Sequence, residues 1–313
     1  MSPMFRRAAF AALATAFAAA PWALDEFSLN LVTRMLIFGI AAMGVDLLVG
    51  FAGLVPLGHA AFLGLGAYAA GILTDAGLES AFIVWPLAIM VGVVGAAIIG
   101  GLSLRSSGLY FIMITLAFAQ MVYYVFQSLR SYGGDDGFAL TRNTFAGLID
   151  PYDSRAFYFL TLAITIIVFA LLLRVVASPF GVALRAARDN EARLAAVGLP
   201  AFGYRLVAFI ISGALCALAG VLLANLTGYI TPGYGSWPQS GELLMMVLLG
   251  TAGTIWGGLL GAAIFVALSE VLSEVSDHWM FYLGLLIVLR VLLARGEMKK
   301  LLGRLDPRRR ADG

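Results

Sequence analysis

The chain has 313 residues, of which 61% are hydrophobic and only 12% charged, with a net charge of +2. A water-soluble domain of that size carries about a quarter charged residues, so the composition excludes an ordinary soluble globular protein and points to the bilayer as solvent. With one cysteine, Cys216, inside an apolar segment, neither a disulfide framework nor thiolate chemistry is indicated.

Each membrane-crossing helix needs about 20 apolar residues, and hydropathy predicts segments at about 8–24, 29–51, 57–74, 82–103, 108–129, 157–177, 204–226, 241–256, 257–275 and 279–295. The expected fold is all-α: a polytopic transmembrane helical bundle of about 8–10 spans, some of them short or glycine-interrupted. Open strands cannot satisfy their backbone in lipid, and the dyad alternation of a membrane barrel is absent. Residues 1–295 read as one transmembrane domain and 296–313 as a basic tail. Arg6 and Arg7 before the alanine-rich run Ala8 to Ala20 and Pro21 fit either a signal peptide or an uncleaved first helix, and the helix is the expectation.

Placing the N-terminus inside puts all Lys and Arg residues but Arg34, Arg130, Arg142 and Arg155 on the cytoplasmic side, 16 of 20. The positive-inside bias therefore selects this orientation, with both termini cytoplasmic.

Two stretches depart from plain spans. Leu57 to Thr74 is short and carries Gly58, Gly64, Gly66 and Gly71; Gly241 to Val275 is interrupted by Gly250, Gly253, Gly257, Gly258 and Gly261. Glycine-broken membrane segments in two halves of a chain point to a substrate path, and equally to tight helix crossings.

The polar loop SPFGVALRAARDNEARLAAVGLPAFG, within 178–204, is predicted as one cytoplasmic-surface helix over 179–197. Ser178 and Pro179 start it and Gly198 stops it. Arg185–Asp189, Asp189–Arg193 and Arg188–Glu191 are expected as pairs along its face. It exceeds the usual 2–8 residue bundle connection, which suggests a docking surface with Ala186, Ala187, Ala195 and Ala196 allowing close approach. The other long loop, Arg130 to Arg155, is expected outside, with its Gly133–Gly137 turn cluster as a possible entrance rim. It lacks the ligand pattern of a calcium loop, so no metal is assigned.

Taken together, MGVDLLVGFAGLVPLGHAAFLGLGAYAAGIL (43–73), LRSSGLYFIMITLAFAQMV (104–122), YGGDDG (132–137), SPFGVALRAARDNEARLAAVG (178–198) and LLMMVLLGTAGTIWGGLLGA (243–262) resemble, in order, the branched-chain amino acid permease family of ABC importers. The resemblance implies a bacterial inner-membrane subunit without chemistry or cofactor of its own. It would pair with a second permease subunit, be driven by two cytoplasmic ATPase subunits, be fed by a periplasmic binding protein, contact membrane lipid, and bind no nucleic acid. It also implies that the 178–204 loop couples to the ATPase, through Arg185, Ala187, Arg188, Asp189, Glu191 and Gly198. The Glu191-Ala192 to Gly198 spacing is one residue longer than in the related EAA loop. Asp46 and Gln120 stand where the family pattern expects Asn and an acidic residue. Asp46, His59, Gly64, Gly66, Gln120, Gly250 and Gly253 are the candidate translocation-path residues. Asp46 has a structural alternative as the cap of a broken helix near Gly50 and Gly53, and His59 as the residue that orients the start of its helix.

Rival functions fare worse. An intramembrane hydrolase would need a metal or nucleophile motif, and His59 and His278 form no HExxH, nor is there a GxSxG. Lys299 and Lys300 lie in no phosphate-binding loop, which excludes an autonomous ATPase. A secondary transporter would show buried ionisable groups for ion coupling; Asp46 is the clear candidate, while Glu242, Glu270 and Glu274 fall near the outer interface. Urea or another small polar or carboxylate solute remains the alternative cargo.

Overall fold

The computed structural model describes residues 21, 25–145, 152–275 and 278–294, with backbone only for 279 and 289–294. Apart from Pro21, the expected first segment 8–24 lies outside the described residues, as do Arg295 and the basic tail 296–313.

Eleven α-helices occur among the described residues: α1 (Glu26–Asp46), α2 (Ala60–Asp75), α3 (Ala81–Ser103), α4 (Leu109–Ser128), α5 (Ser154–Ala177), α6 (Pro179–Asp189), α7 (Glu191–Ala196), α8 (Ala201–Thr227), α9 (Trp237–Gly250), α10 (Ile255–Val275) and α11 (Trp279–Ala294). Six helical stretches are long and apolar enough to cross a membrane: α1 with its continuation, α3, α4, α5, α8 and α10. The chain is thus a polytopic helical bundle. Among the described residues, strand is confined to the antiparallel pair β1 (Phe138–Ala139) and β2 (Tyr229–Ile230).

The bundle is built around α1, which packs against α5, α8, α9 and α10. It runs on into a π-helical stretch, Leu47–Ala52, and stops at Gly53, whose φ of 70° places it in the left-handed region that glycine tolerates. Around it, α2 lies against α3 and α8. At 16 residues, α2 spans about 24 Å at 1.5 Å per residue, short of the roughly 30 Å hydrocarbon core. Small residues let it sit deep. A Cβ on Gly66 would strike the Ala217 carbonyl, and one on Gly220 would strike Leu63 backbone, the close approach that small residues permit in membranes. The outward faces of α3 and α5 are aliphatic, with Ile83, Val94 and Ile98 on the first and Ile166, Ile167 and Leu171 on the second exposed. Such faces suit lipid tails.

The expected 241–256 segment begins four residues earlier, at Trp237, and ends at Gly250. Pro238 in the first turn supplies a helix start that hydropathy alone passes over. The glycine-interrupted stretch therefore resolves into two helices joined by the turn 251–254. That turn holds Thr251 at a φ of 83°, rare for a β-branched residue.

At the end of the bundle carrying β1 and β2, called here the upper end, the loop after α4 folds back into the protein. Asn143 is 1% exposed. Its Nδ2 donates to Thr74 Oγ1 at 2.8 Å, and its Oδ1 accepts from Trp85 Nε1 at 3.2 Å. The expected outer loop is thus partly a plug rather than a free rim. Gly133, Gly134 and Gly137 do form its turn cluster at positive φ, and Tyr229 Oη donates to the Asp136 carbonyl.

Candidate functional site: the junction at the lower end

At the opposite, lower end, the polar loop is two helices rather than the single one expected over 179–197. Asn190, with φ −162° and ψ 101°, breaks it, and its Oδ1 accepts from Arg193 N at 2.9 Å to cap α7. Asparagine competes with helix by bonding its own neighbouring backbone. The expected pairs along one helix face are accordingly replaced. Arg188 Nε meets Asp189 at 3.1 Å, and Glu191 is held by Arg205 of α8 at 2.7 Å. Arg205 also donates to the Ala187 carbonyl at 3.0 Å. Pro179 stands in the first turn as read from the sequence, but Ser178 makes no side-chain cap; its hydroxyl donates to the Val175 carbonyl at 2.7 Å. Gly198 ends the pair of helices at φ 83°.

One correction concerns Ala187, read above as a small residue on a docking face. It is 1% exposed and packs with Leu194 and Ala201 of this same chain. The break at Asn190 folds α7 back over it, so Ala187 holds the loop together.

The two arginines of α6 reach the end of α1. Arg188 Nη1 donates to the Gly50 carbonyl at 2.5 Å, and its aliphatic stem occupies the space beside Gly53 that a side chain there would fill. Arg185 donates to the Val176 carbonyl at 3.1 Å and lies 6.0 Å over the Phe51 ring. The carbonyl that Arg188 binds belongs to the π-helical stretch, a form that recurs at functional sites.

Beneath it, Asp46 is fully buried, and its Oδ1 accepts from the Gly253 amide at 2.8 Å. Gly50 sits on Gly253 so closely that any Cβ would strike that backbone and Asp46 Oδ1. The capping alternative for Asp46 is thereby met in altered form: it caps the turn before α10, not its own helix. Among the described residues its Oδ2 makes no hydrogen bond within the usual distance limits. Arg188, Gly50, Asp46 and Gly253 thus form one continuous tie from the polar loop, through α1, to the α9–α10 turn.

Of the remaining candidates Gly250 adjoins the junction and the others lie elsewhere. Gly250 is packed on the Gly257 carbonyl, Gly64 lies by Phe126 and Gly235, and Gln120 is half-buried on α4. His59 is enclosed by the Phe62 and Phe209 rings at 5.2 and 4.9 Å, and neither ring nitrogen has a partner. It does not orient its helix through a cap; the Ala60 amide is taken by Ser240 Oγ at 3.0 Å. Ser240 escaped the sequence reading because a lone serine in an apolar run carries no signal of its distant partner. Nothing in the junction is a nucleophile–base arrangement.

Sequence comparison supplies the family. The pattern of the family described as branched-chain amino acid transport system, permease component, matches residues 27–293. The chain belongs to this permease family. Among its relatives is the high-affinity branched-chain amino acid transport system permease protein LivM of Salmonella typhimurium, 28% identical across 87% of this chain and 70% of that protein. LivM of Escherichia coli K12 is 27% identical over the same shares. The autoinducer 2 import system permease protein LsrC of Photorhabdus laumondii is 28% identical over 39% of each chain. No solved structure matches. As a family member the chain is a multi-pass membrane permease component of ABC transport systems.

Proposed function

We propose that this permease carries branched-chain or other hydrophobic amino acids across the bacterial inner membrane as one subunit of an ABC importer. It supplies helices for the pathway and no ATPase site. A second permease subunit completes the pathway, two cytoplasmic ATPase subunits drive it, and a periplasmic binding protein delivers the cargo. In this reading the lower end faces the cytoplasm, and α6 with α7 is the surface on which an ATPase subunit acts.

The observation that supports it most is the tie from Arg188 to Gly50 and on to Asp46 and Gly253. A push on α6 would reach the central helix and the α9–α10 turn together, because backbone and buried side chains lie in direct contact along the route. The similarity to LivM supports amino acids as cargo. The partial similarity to LsrC, an autoinducer 2 import permease, keeps a cargo other than an amino acid as the second reading.

The test is uptake of radiolabelled leucine in a strain deleted for its own branched-chain transport, with the complete importer expressed. Leucine uptake, competed by isoleucine and valine but not by urea or a sugar-like solute, is expected. Saturable uptake of the polar solute in its place would replace the amino-acid reading.

A further inference from the structure

In the upper half of the bundle a cavity of about 240 Å³ lies between α1, α9 and α10. Arg34 of α1, Glu242 of α9 and Glu270 of α10 line it, together with Phe38, Phe265 and Val266. It is smaller than the roughly 300 Å³ at which drug-sized pockets begin, so it suits a small solute.

The charges are the informative part. Arg34 stands two turns inside α1, and Glu242 and Glu270 each stand inside an apolar helix. Arg34 is exposed and Glu242 and Glu270 are half-buried, so all three reach the space from the outer part of the bundle. Arg34 makes no hydrogen bond or ion pair with any described residue; its guanidinium lies 5.7 Å over the Phe38 ring. The Glu270 carboxylate likewise has no described partner, and Glu242 accepts only from Gln239, at 2.9 Å. Both signs therefore line one small space with no hydrogen bond or salt bridge joining them among the described residues, although Arg34 is near enough to Glu242 to act on it electrostatically. A ligand that fits carries both signs a few bonds apart and has an apolar body.

We propose that this cavity binds an α-amino acid with an aliphatic side chain. Arg34 takes the carboxylate, which its forked donors match, Glu242 and Glu270 take the ammonium group, and Phe38, Phe265 and Val266 receive the side chain. This rests on the amino-acid reading above and adds a site to it.

The experiment uses the full chain in phosphatidylglycerol nanodiscs, with leucine, leucinamide and isovalerate as probes followed by saturation-transfer NMR. Leucinamide lacks the carboxylate and isovalerate lacks the ammonium, so each binds the wild type about tenfold or more weaker than leucine. Arg34→Gln lowers leucine affinity about tenfold and leaves leucinamide unchanged; Glu242→Gln with Glu270→Gln lowers leucine and leaves isovalerate unchanged. That crossed pattern does not arise from misfolding. Equal binding of all three probes by the wild type, no leucine binding, or leucine binding unchanged in both variants would overturn the site. So would displacement of leucine by phosphatidylethanolamine added to the nanodiscs, which would make the cavity a lipid headgroup site. Cellular uptake separates the two levels. If the wild-type importer takes up leucine while the cavity test fails, the site falls and the amino-acid reading stands. If it takes up none, both fall.

Discussion

Asn143 and Asn225 hold each other twice: the Asn143 amide donates to Asn225 Oδ1 at 2.9 Å, and Asn225 Nδ2 donates to Asn143 Oδ1 at 3.1 Å. The pair pins the loop after α4 onto α8. Replacing Asn143 with Ala leaves the Trp85 indole, the Thr74 hydroxyl and the Asn225 amide short of a partner in a buried place. Each such group costs about 1–3 kcal/mol, so the variant is expected to lose at least about 2 kcal/mol of stability. Thermal unfolding in detergent checks this, with Trp85 close enough to report. A midpoint equal to that of the wild type would show that the network is dispensable.

The glycine crossings make a paired prediction. Gly220→Ala puts a methyl group into Leu63 backbone, whereas a Cβ on Gly101 meets nothing. Overpacking of this kind costs about 1–3 kcal/mol. Gly220→Ala should lower the yield of monodisperse protein, and Gly101→Ala should not. Equal yields would mean that α2 and α8 can separate without penalty.

The tie at the lower end is tested through Arg188. Arg188→Ala removes the donor to Gly50 at a part-exposed site, so membrane insertion should persist while leucine uptake falls at least about tenfold, the scale of a lost charge-assisted hydrogen bond. Arg188→Lys, which keeps a charge and a donor, should recover part of it. Uptake at the wild-type level in the alanine variant would reduce the contact to packing.

Asp46→Asn retains an acceptor for the Gly253 amide, whereas Asp46→Leu does not. The leucine variant should expose the 251–254 turn to limited proteolysis and the asparagine variant should not. Identical digestion patterns would show that Asp46 does not hold the turn.

Orientation is open to cysteine labelling, because Cys216, the chain's one cysteine, is fully buried and gives little background. Arg193→Cys should react with a membrane-impermeant maleimide only after the cells are opened, and Asp136→Cys in intact cells. The reverse pattern would turn the permease over.

Much of this was legible in the chain. The long spans fall within a few residues of hydropathy expectation because each apolar run is bounded by charge, glycine or proline. Pro179 and Gly198 mark the polar loop for the same local reasons. What escaped was non-local. The break at Asn190 was hidden by an equally good i,i+4 pattern across Asp189, and only the fold-back of α7 onto Ala187 decides between them. Asn143 read as loop because polarity says nothing about which loops re-enter a bundle. Arg34 and Glu242 lie about 200 residues apart, and no spacing rule predicts that they face one cavity.

The enclosure of α1 bears on how the protein is made. Of its most apolar stretch, 89% is covered by other parts of the chain, so the finished helix scarcely meets lipid. Its mean hydropathy exceeds that of the far more exposed α4, though not that of α3 or α5. The helices that enclose it, α5, α8, α9 and α10, are all translated later, and Gly253, the partner of Asp46, emerges 207 residues after it. During synthesis α1 must therefore wait in the bilayer as a bare span, with Asp46 unescorted, and hydrophobicity is what keeps it there. Its composition answers to that interval on the ribosome, and truncated nascent chains ending before α8 should hold α1 in contact with lipid or the insertion machinery, a stage at which crosslinking would capture it.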